Sequence, residues 1–561
     1  MNRSMNLLNK GIQSIFLLFM VLPFSVLSQG FSPQTEAKLQ AVLDGFQNNP
    51  SNSYVGGMSA AINVDGLAVW QGATGFAARN VDANNNLLPG GTPFTIQTLS
   101  RTYSITKTFI AALTLELARE GVFSLTDPVS KFLPLNLINP NLNNSVTIAQ
   151  LLAHESGYSD FLENQDLQVA VAFQPTRVWT PFESISFAKQ ENDPGVIRKY
   201  SSTNYIILGA IIEAATGTPM EKLIRQRFFD PLQLNSMYLA GREPMGNRGT
   251  LAAPHDDISA LNPIFQFTGQ PTFPNGYTNI YRFPFTAIES IAFTSGGIVS
   301  NVGDVARWGN DLFGGRPTSK ATLDQMLQSI SATPDEDGDY LGYGIWRTIK
   351  ISATDVFYGH DGNATGYRSV MFYQPDRKMT IAILTNYHGA KLYEVAKALY
   401  EALPHFLCGN ENRKEDKILV CSKGKSQCIA RPAADGFIKK GAYLGSCEEL
   451  TPVKKADVTT KTIGVAVKDI SLEEVNRNDL EAYPNPFQNQ TDLSFSTELS
   501  GPAVLRLFDQ NGKLVKVLFS GNVKKGVVQK VTLHAGSLTA GIYFSQLSTE
   551  KGIKQQKIVK Q

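Results

Sequence analysis

The sequence predicts an α+β fold in which an antiparallel sheet is flanked by helices and a helical lobe lies beside it. A small cysteine-rich module and a C-terminal all-β sandwich follow. Two groups of strand-like runs, near residue 60 and near residue 370, enclose a long stretch that is mainly helical. The end of the chain contains only strand-like runs and turns. We therefore expect the early and late strands to meet in one sheet, with the helical middle as a second lobe.

The elements of the first unit follow from periodicity and turn chemistry. A helix is predicted over 36–46. Two alternating runs, 59–64 and 67–70, flank the turn pair Asp65-Gly66 and predict a hairpin. Helices predominate from Gly121 to about residue 240. The later elements are strands at 356–360, 368–373 and 379–384 and a closing helix at 391–403.

The last part of the chain changes character after a linker. Residues 448–480 are rich in Lys, Asp, Val and Thr without clear periodicity, so we interpret them as a linker. A second hairpin is predicted around Asn511-Gly512. The predicted strands of this part are 504–508, 514–518, 527–533 and 542–547.

The first 28 residues are predicted to be a secretory signal peptide. Arg3 and Lys10 precede an apolar run at 15–22, and the moderate side chains near Ser28 suit cleavage before Gln29. A membrane anchor is the alternative, but the apolar run is shorter than the roughly 20 residues needed to span a bilayer. The sequence therefore favours export.

Composition excludes two classes of protein. With 42% hydrophobic and 18% charged residues, the chain is not generally disordered, and its 561 residues suffice for about three domains of roughly 100–200 residues. The 51 basic and 49 acidic side chains leave a net charge of +2, which provides no field for holding a polyanion. A nucleic-acid partner is therefore not predicted.

The four cysteines define a local module over 405–447. In an exported chain they indicate two disulfides, and three pairings are open. A zinc site is the rival interpretation, but paired Cys-x-x-Cys spacing is missing and the only nearby histidine is His405. The cysteines are Cys408, Cys421, Cys428 and Cys447.

A Ser-x-x-Lys pattern places a serine and a possible base on one helix face. It occurs four times, at Ser104/Lys107, Ser186/Lys189, Ser422/Lys425 and Ser548/Lys551. Only Ser104 opens a long apolar helix, predicted over 105–118, whose first N–H groups and dipole would face a developing oxyanion. The other three are interpreted as a solvated helix, part of the cysteine module and part of the terminal β unit.

Further motifs follow Ser104-Ile-Thr-Lys107 along the chain. They are Gln-Leu-Leu-Ala-His-Glu-Ser-Gly at 150–157, Tyr200 with Tyr-Ile-Ile-Leu-Gly at 205–209, Gly-Gly-Ile-Val-Ser at 296–300 and His-Asp-Gly at 360–362. With these motifs in this order, residues 34–404 resemble the serine β-lactamase and penicillin-recognising hydrolase family. The resemblance is to its branch of class C β-lactamases, D-alanyl-D-alanine carboxypeptidases and family VIII esterases.

The resemblance implies a β-lactamase/transpeptidase-like fold and a cofactor-free acyl-transfer site. Ser104 would be the nucleophile, Lys107 would take its proton and Tyr200 would complete the proton relay. The N–H groups of Ser104 and Asn363 would form the oxyanion hole, and Gly362 would leave room for substrate along its strand.

This chain departs from the family pattern at two positions. Ser202 stands where an asparagine follows the tyrosine, and its shorter side chain is expected to leave a gap. His360 stands where many β-lactamases carry lysine, and we expect it to gain a proton at mildly acidic pH and then hold carboxylate-bearing substrates better. The remaining histidines are interpreted as non-catalytic, so no metal centre is predicted: His154 as structural, and His255, His388 and His534 as lacking convergent partners.

The C-terminal part resembles the type IX secretion sorting domain of Bacteroidetes surface proteins. The matching segments are 482–487 (Ala-Tyr-Pro-Asn-Pro-Phe), 507–513, 540–544 and 557–560. This resemblance over 481–561 implies recognition by the type IX secretion machinery and export across both membranes. The alternative is an ordinary β-sandwich binding module.

The sequence therefore predicts a secreted or cell-surface serine hydrolase that forms an acyl-enzyme and cleaves ester or D-amino-acid peptide or amide bonds. Two alternatives stay open. One is a β-lactamase; the other is a catalytically silent protein of the same fold that binds peptidoglycan peptides.

Overall fold

The computed structural model describes most of the chain in two compact units, divided between residues 454 and 455. The predicted signal peptide lies outside the described residues, as does the predicted linker apart from Leu480. The described residues are 30–48, 56–82, 87–257, 277–279, 284–335, 338–352, 354–408, 416–447, 480–497, 500–509, 514–536, 538–549 and 552–561.

Helices and strands alternate through the first unit, and the second unit contains strands. The α-helices are α1 (Pro33–Asn48), α2 (Thr106–Arg119), α3 (Leu135–Ile138), α4 (Ile148–Leu152), α5 (Gln165–Phe173), α6 (Pro181–Ile185), α7 (Ser202–Thr216), α8 (Met220–Ile224), α9 (Thr286–Gly296), α10 (Val302–Phe313), α11 (Lys320–Gln328), α12 (Leu392–Ala402) and α13 (Ala434–Ile438). Short helical turns lie at Tyr103–Ile105, Val129–Lys131, Phe161–Glu163, Arg225–Phe229 and Arg431–Ala433.

The strands of the first unit are β1 (Gly57–Val64), β2 (Ala68–Val81), β3 (Leu87–Pro93), β4 (Ser100–Arg101), β5 (Tyr238–Leu239), β6 (His255–Asp257), β7 (Tyr277–Asn279), β8 (Ile298–Ser300), β9 (Tyr340–Leu341), β10 (Trp346–Thr348), β11 (Phe357–Ala364), β12 (Tyr367–Gln374), β13 (Met379–Thr385), β14 (Lys417–Ser422), β15 (Lys425–Ala430) and β16 (Tyr443–Leu444). Those of the second are β17 (Glu481–Tyr483), β18 (Gln490–Phe495), β19 (Gly501–Asp509), β20 (Leu514–Val523), β21 (Gln529–His534), β22 (Gly541–Thr549) and β23 (Gly552–Lys560).

An eight-stranded antiparallel sheet organises the first unit, in the order β3-β2-β1-β13-β12-β11-β10-β9. The early strand β1 pairs with the late strand β13, for example Ile62 opposite Ile381. This pairing confirms the prediction that the two groups of strands form one sheet. Since every residue of β1 is buried, both faces of the sheet are covered.

The two faces of the sheet contribute to different hydrophobic cores. Ile62 of β1 packs on one face with Leu43 of α1 and Leu399 of α12. Ala61, whose side chain points the opposite way, belongs to the larger core of the helical lobe. Helix α2 runs through that lobe, and all its residues from Thr106 to Leu117 are buried. Ser104, which lies two residues before this helix, is therefore attached to a rigid element.

The four cysteines form two disulfides, Cys408–Cys428 and Cys421–Cys447, which confirms the disulfide prediction over the zinc alternative. The three short strands β14, β15 and β16 carry the module. Its buried side chains are not a separate core, because they belong to the same cluster as the sheet face covered by α1 and α12. These side chains are Ile418, Val420, Ala434, Ile438, Ala442 and Leu444.

The second unit is all-β, as predicted. One sheet has the order β17-β18-β21 and the other the order β20-β19-β22-β23. Side chains from both sheets, such as Leu493 and Leu505, share one hydrophobic core. Across the described part of the chain, none of the helices has the length and apolar character needed to cross a bilayer.

Candidate active site

Ser104 lies in a short helical turn at the entrance to helix α2. The turn begins after Thr102, whose backbone N–H and hydroxyl both donate to the carbonyl of Ile298 in β8, at 3.0 and 2.8 Å. Tyr103 has a φ of +43°, an uncommon backbone conformation for a non-glycine residue. Ser104 is half-buried, whereas both its neighbours in sequence are buried. The turn therefore presents one hydroxyl from an otherwise closed surface.

Lys107 lies one helical turn after Ser104 and is completely buried. Its Nζ donates to Ser104 Oγ at 3.0 Å and to the backbone carbonyl of Ser295 at 2.7 Å. A third, longer bond of 3.5 Å reaches Ser202 Oγ. The structure thus brings together the serine and lysine predicted from their spacing.

Tyr200 comes from a part of the sequence 96 residues away from Ser104. It precedes α7, and its hydroxyl donates to Ser104 Oγ at 2.8 Å. The ring lies beneath the Lys107 amine, which is 4.9 Å from the ring centroid. His154 stacks on the same ring with centroids 4.7 Å apart. Ser104, Lys107 and Tyr200 therefore form one hydrogen-bonded group.

Burial shifts the pKa values of Lys107 and Tyr200 in opposite directions. It lowers the pKa of Lys107 to about 7, although Asp160 and Asp361 oppose the shift. It raises the pKa of Tyr200 well above the ordinary phenol value, although the Ser104 hydrogen bond opposes this. The amine can therefore be uncharged near neutral pH, while the phenol keeps its proton.

His360 lies on β11 at the edge of this group and is completely buried. Its ring packs on Trp346 with centroids 4.2 Å apart, and its Nδ1 lies 2.5 Å from the carbonyl oxygen of Asp361. A carbonyl can only accept, so Nδ1 carries the proton and Nε2 is left with a lone pair. Within the described residues Nε2 has no hydrogen-bond partner.

The expectation that His360 becomes charged at mildly acidic pH is wrong. Burial, with a further contribution from the Lys107 charge, lowers the pKa of His360 to about 3. The ring is therefore neutral throughout the physiological range. Sequence reasoning assigned an ordinary pKa because it had no information on burial.

Gly362 and Asn363 follow on β11, which packs against the Ser104 turn. A Cβ at Gly362 would lie 2.1 Å from the Thr102 carbonyl oxygen and 2.4 Å from Ser369 Oγ. Close packing against the serine-bearing turn therefore requires glycine here, and the expected role of Gly362 in leaving space for substrate stays a prediction. Asn363 is exposed next to it.

Ser202, which stands at the position of the family asparagine, lies beside Lys107, and its backbone is held by a group that the sequence analysis missed. Its N–H donates to Asp160 Oδ2 at 2.9 Å. Asp160 lies three residues after Gly157, the last residue of the 150–157 motif. This closeness to a motif was the only feature of the sequence that could have identified Asp160. The carbonyl of Ser295 and the ring of Trp346 were also missed, and only Ser295 adjoins a motif.

The other candidates belong to other parts of the chain. Ser186 donates to the Glu183 carbonyl, and Ser422 and Ser548 lie in β14 and β22. Buried His255 contacts Asn386. Across the described residues no three His, Cys, Asp or Glu side chains are grouped to hold a metal ion.

Two known protein families match separate parts of this chain. A family model described as Beta-lactamase matches residues 41–403. A second, described as Secretion system C-terminal sorting domain, matches residues 481–561.

Two curated relatives share the first region. Protein flp of Staphylococcus aureus (strain N315) is 25% identical over 284 residues, which are 50% of this chain and 52% of that protein. A putative D-alanyl-D-alanine carboxypeptidase of Escherichia coli (strain K12) is 26% identical over 317 residues, which are 52% of this chain and 70% of that protein. The match thus spans about half the length of the first relative.

A solved structure shares the same fold. The D-stereospecific amidohydrolase from Streptomyces sp. superimposes with a TM-score of 0.51 and 26% identity, covering 65% of this chain and 98% of that one. The C-terminal match is a type IX sorting domain, which indicates export to the cell surface or the medium. Because the first family model spans well over half of its residues, the chain belongs to the Beta-lactamase family.

Proposed function

We propose that this protein is a secreted serine hydrolase that forms an acyl-enzyme on Ser104 and cleaves amide or ester bonds of D-amino-acid substrates. One observation carries the proposal: the half-buried Ser104 hydroxyl lies within hydrogen-bond distance of both the Lys107 amine and the Tyr200 phenol. A nucleophilic serine needs a base and a route for its proton, and these two groups can supply both.

The hydrogen-bond partners of Lys107 give each group a role. An uncharged lysine has two N–H bonds and one lone pair. The Ser295 carbonyl accepts one N–H at 2.7 Å, and the Ser202 hydroxyl oxygen, at 3.5 Å, can accept the other. The lone pair is then left for the Ser104 hydroxyl. Lys107 removes the proton as Ser104 attacks the carbonyl carbon, and protonated Tyr200 passes a proton to the leaving group.

Ser202 can accept one N–H bond of Lys107, as the family asparagine would through its amide oxygen. Its hydroxyl has one O–H donor where the amide has two N–H donors, so it offers substrate fewer hydrogen bonds. Before deacylation, Lys107 returns the proton it took from Ser104 to the Tyr200 phenolate. Lys107 then takes a proton from the attacking water, the acyl–Ser104 bond breaks, and Tyr200 protonates the departing Ser104 oxygen; a last transfer from Lys107 to Tyr200 restores the free enzyme. The N–H groups of Ser104 and Asn363 are proposed to stabilise the oxyanion in both steps.

The proposed substrate class follows from the charge of the site. A substrate carboxylate near His360 would meet a neutral ring with a lone pair instead of a cation. Simple amides and esters of D-amino acids need no carboxylate anchor, so they suit a site without this cation. The names of the Streptomyces amidohydrolase and the Escherichia coli relative support D-configured substrates.

Covalent labelling tests the proposal. After treatment with a fluorophosphonate, mass spectrometry should find the adduct on the peptide containing Ser104, and Ser104→Ala should remove both the label and the hydrolysis of D-amino-acid amides. Ser201→Ala is the matched control, because that nearby buried hydroxyl donates to the Ser159 carbonyl instead. Hydrolysis that survives Ser104→Ala would overturn the assignment.

A second candidate is a catalytically silent member that binds peptidoglycan peptides, and the serine at 202 is the observation that favours it. If the amide is needed for turnover, penicillin will label Ser104 and the adduct will persist without release of product. Measuring adduct lifetime together with turnover of D-amino-acid amides separates the candidates, since the hydrolase must regenerate free enzyme.

A further inference from the structure

His154 makes contacts with three consecutive residues around the candidate catalytic phenol. Its carbonyl accepts the N–H of Lys199 at 2.9 Å, and its Nδ1 accepts the N–H of Ser201 at 3.1 Å. Between these two bonds, its ring stacks on Tyr200 with an interplanar angle of 27°. A single side chain and its own carbonyl thus hold the residue before Tyr200, its ring, and the residue after it.

Tyr200 needs such support because of where it lies. Residues 197–201 belong to no helix or strand, so no regular ladder fixes their backbone. A catalytic group must be held within about 0.5 Å of its working position. The two hydrogen bonds from His154 hold the backbone on both sides of Tyr200, where a helix or strand would otherwise do so.

The loop that carries His154 is itself firmly held. His154 has a φ of +59°, a left-handed conformation that is unfavourable for a non-glycine residue and persists only where surrounding contacts enforce it. The neighbouring Glu155 accepts from Arg198 at 2.7 Å, and its N–H donates to the Gln150 carbonyl at 2.8 Å. At Gly157 a Cβ would lie 1.9 Å from the Asn192 carbonyl oxygen, which fixes the end of the loop.

The ring of His154 performs this task without adding charge. Because Nδ1 accepts a backbone N–H, it must carry a lone pair, and the single ring proton lies on Nε2. Burial, and then the charge of Lys107, lower the pKa of His154 well below its ordinary value. A neutral ring therefore lies beside the amine and the phenol at all pH values at which the site would work.

We propose that His154 is the positioning residue for Tyr200: it sets the distance between the phenol and the Ser104 hydroxyl through the stacked ring and the bonds to Lys199 and Ser201. This inference rests on the proposed function, because it assigns to His154 an effect that acts through the Tyr200 hydroxyl. It predicts loss of kcat with little change in KM, since substrate does not contact the buried histidine.

Two variants separate the contacts. His154→Asn suits the left-handed backbone but removes the stacked ring. His154→Phe keeps a ring but removes the acceptor for Ser201. In the full chain each should lower kcat for an activated ester by roughly 10- to 100-fold, the effect of a catalytic group displaced by about 1 Å. His255→Asn is the matched control, because His255 is also buried but contacts Asn386 and not the site.

The decisive measurement is a double-mutant cycle with Tyr200→Phe. If His154 acts through the phenol hydroxyl, His154→Asn should lower kcat in the parent chain and have no further effect in Tyr200→Phe. Equal losses in the two backgrounds would overturn the inference, and so would a folded His154→Asn with parental kcat. Failure of both His154 variants to fold would overturn it too, because the residue would then serve the fold.

The same cycle distinguishes this inference from the proposed function. If Tyr200→Phe is impaired and the His154 variants are not, only the role of His154 fails. If Tyr200→Phe keeps full activity, the proposed proton relay fails, and the positioning role fails with it.

Discussion

The amine of Lys107 lies 3.0 Å from the hydroxyl of Ser104, and the lysine side chain is completely buried. In this environment its pKa falls to about 7. A lysine with an ordinary pKa would be charged at neutral pH and could not accept the serine proton. The burial that makes Lys107 costly to charge is what suits it to act as a base.

The pH dependence of hydrolysis should follow this lysine. Since the base must be uncharged, kcat/KM for an ester should rise with pH through about 7 and fall off tenfold per unit below it. The test is a rate profile between about pH 5 and about pH 9 on a substrate with no ionising group. An acid limb near pH 4 would contradict the assignment of the base to Lys107.

Lys107, Tyr200 and Ser104 should behave as one unit in mutant kinetics. Lys107→Ala and Tyr200→Phe should each lower kcat by roughly 10²- to 10⁴-fold, because each removes a proton-transfer group. Combining either change with Ser104→Ala should cause little further loss, since the nucleophile is already absent. Losses that multiply in the double variants would show that the groups act independently.

Substrate preference should reflect the uncharged His360. We expect kcat/KM at pH 7 to be higher for p-nitrophenyl butyrate than for nitrocefin, because the ester needs no carboxylate anchor and has a good leaving group. The ranking should not reverse on mild acidification, since the pKa of His360 is about 3. Faster turnover of nitrocefin at pH 7 would contradict this account of the site.

The cysteine module should be needed for the stability of the hydrolase unit. A chain of residues 30–447 should fold, whereas one of residues 30–404 should lose several kcal/mol, because Ile418, Val420 and Leu444 would leave the core they share with the sheet. Each such side chain contributes about 1.5–3 kcal/mol, against a total of about 5–15 kcal/mol for a typical domain. Thermal unfolding of the two chains checks this. Equal melting temperatures would show that the module is dispensable.

Much of the fold was predictable because local rules determine it. The hairpin of β1 and β2 follows from alternation around Asp65-Gly66, and the i, i+3 spacing of Ser104 and Lys107 follows from helix geometry. The two disulfides could be predicted from the grouping of the cysteines. Their pairing could not, since it depends on which strands of the module lie side by side.

The sequence by itself determined the kinds of group that the candidate site contains: a serine at a helix start, an amine one turn on, a phenol, and a histidine in place of lysine. The tertiary structure decided what those groups can do. It moved the pKa of Lys107 to about 7 and that of His360 to about 3, and it placed Gly362 in close contact with Thr102. Burial and close packing arise from residues far apart in the chain, so they cannot be predicted from the local spacing of residues.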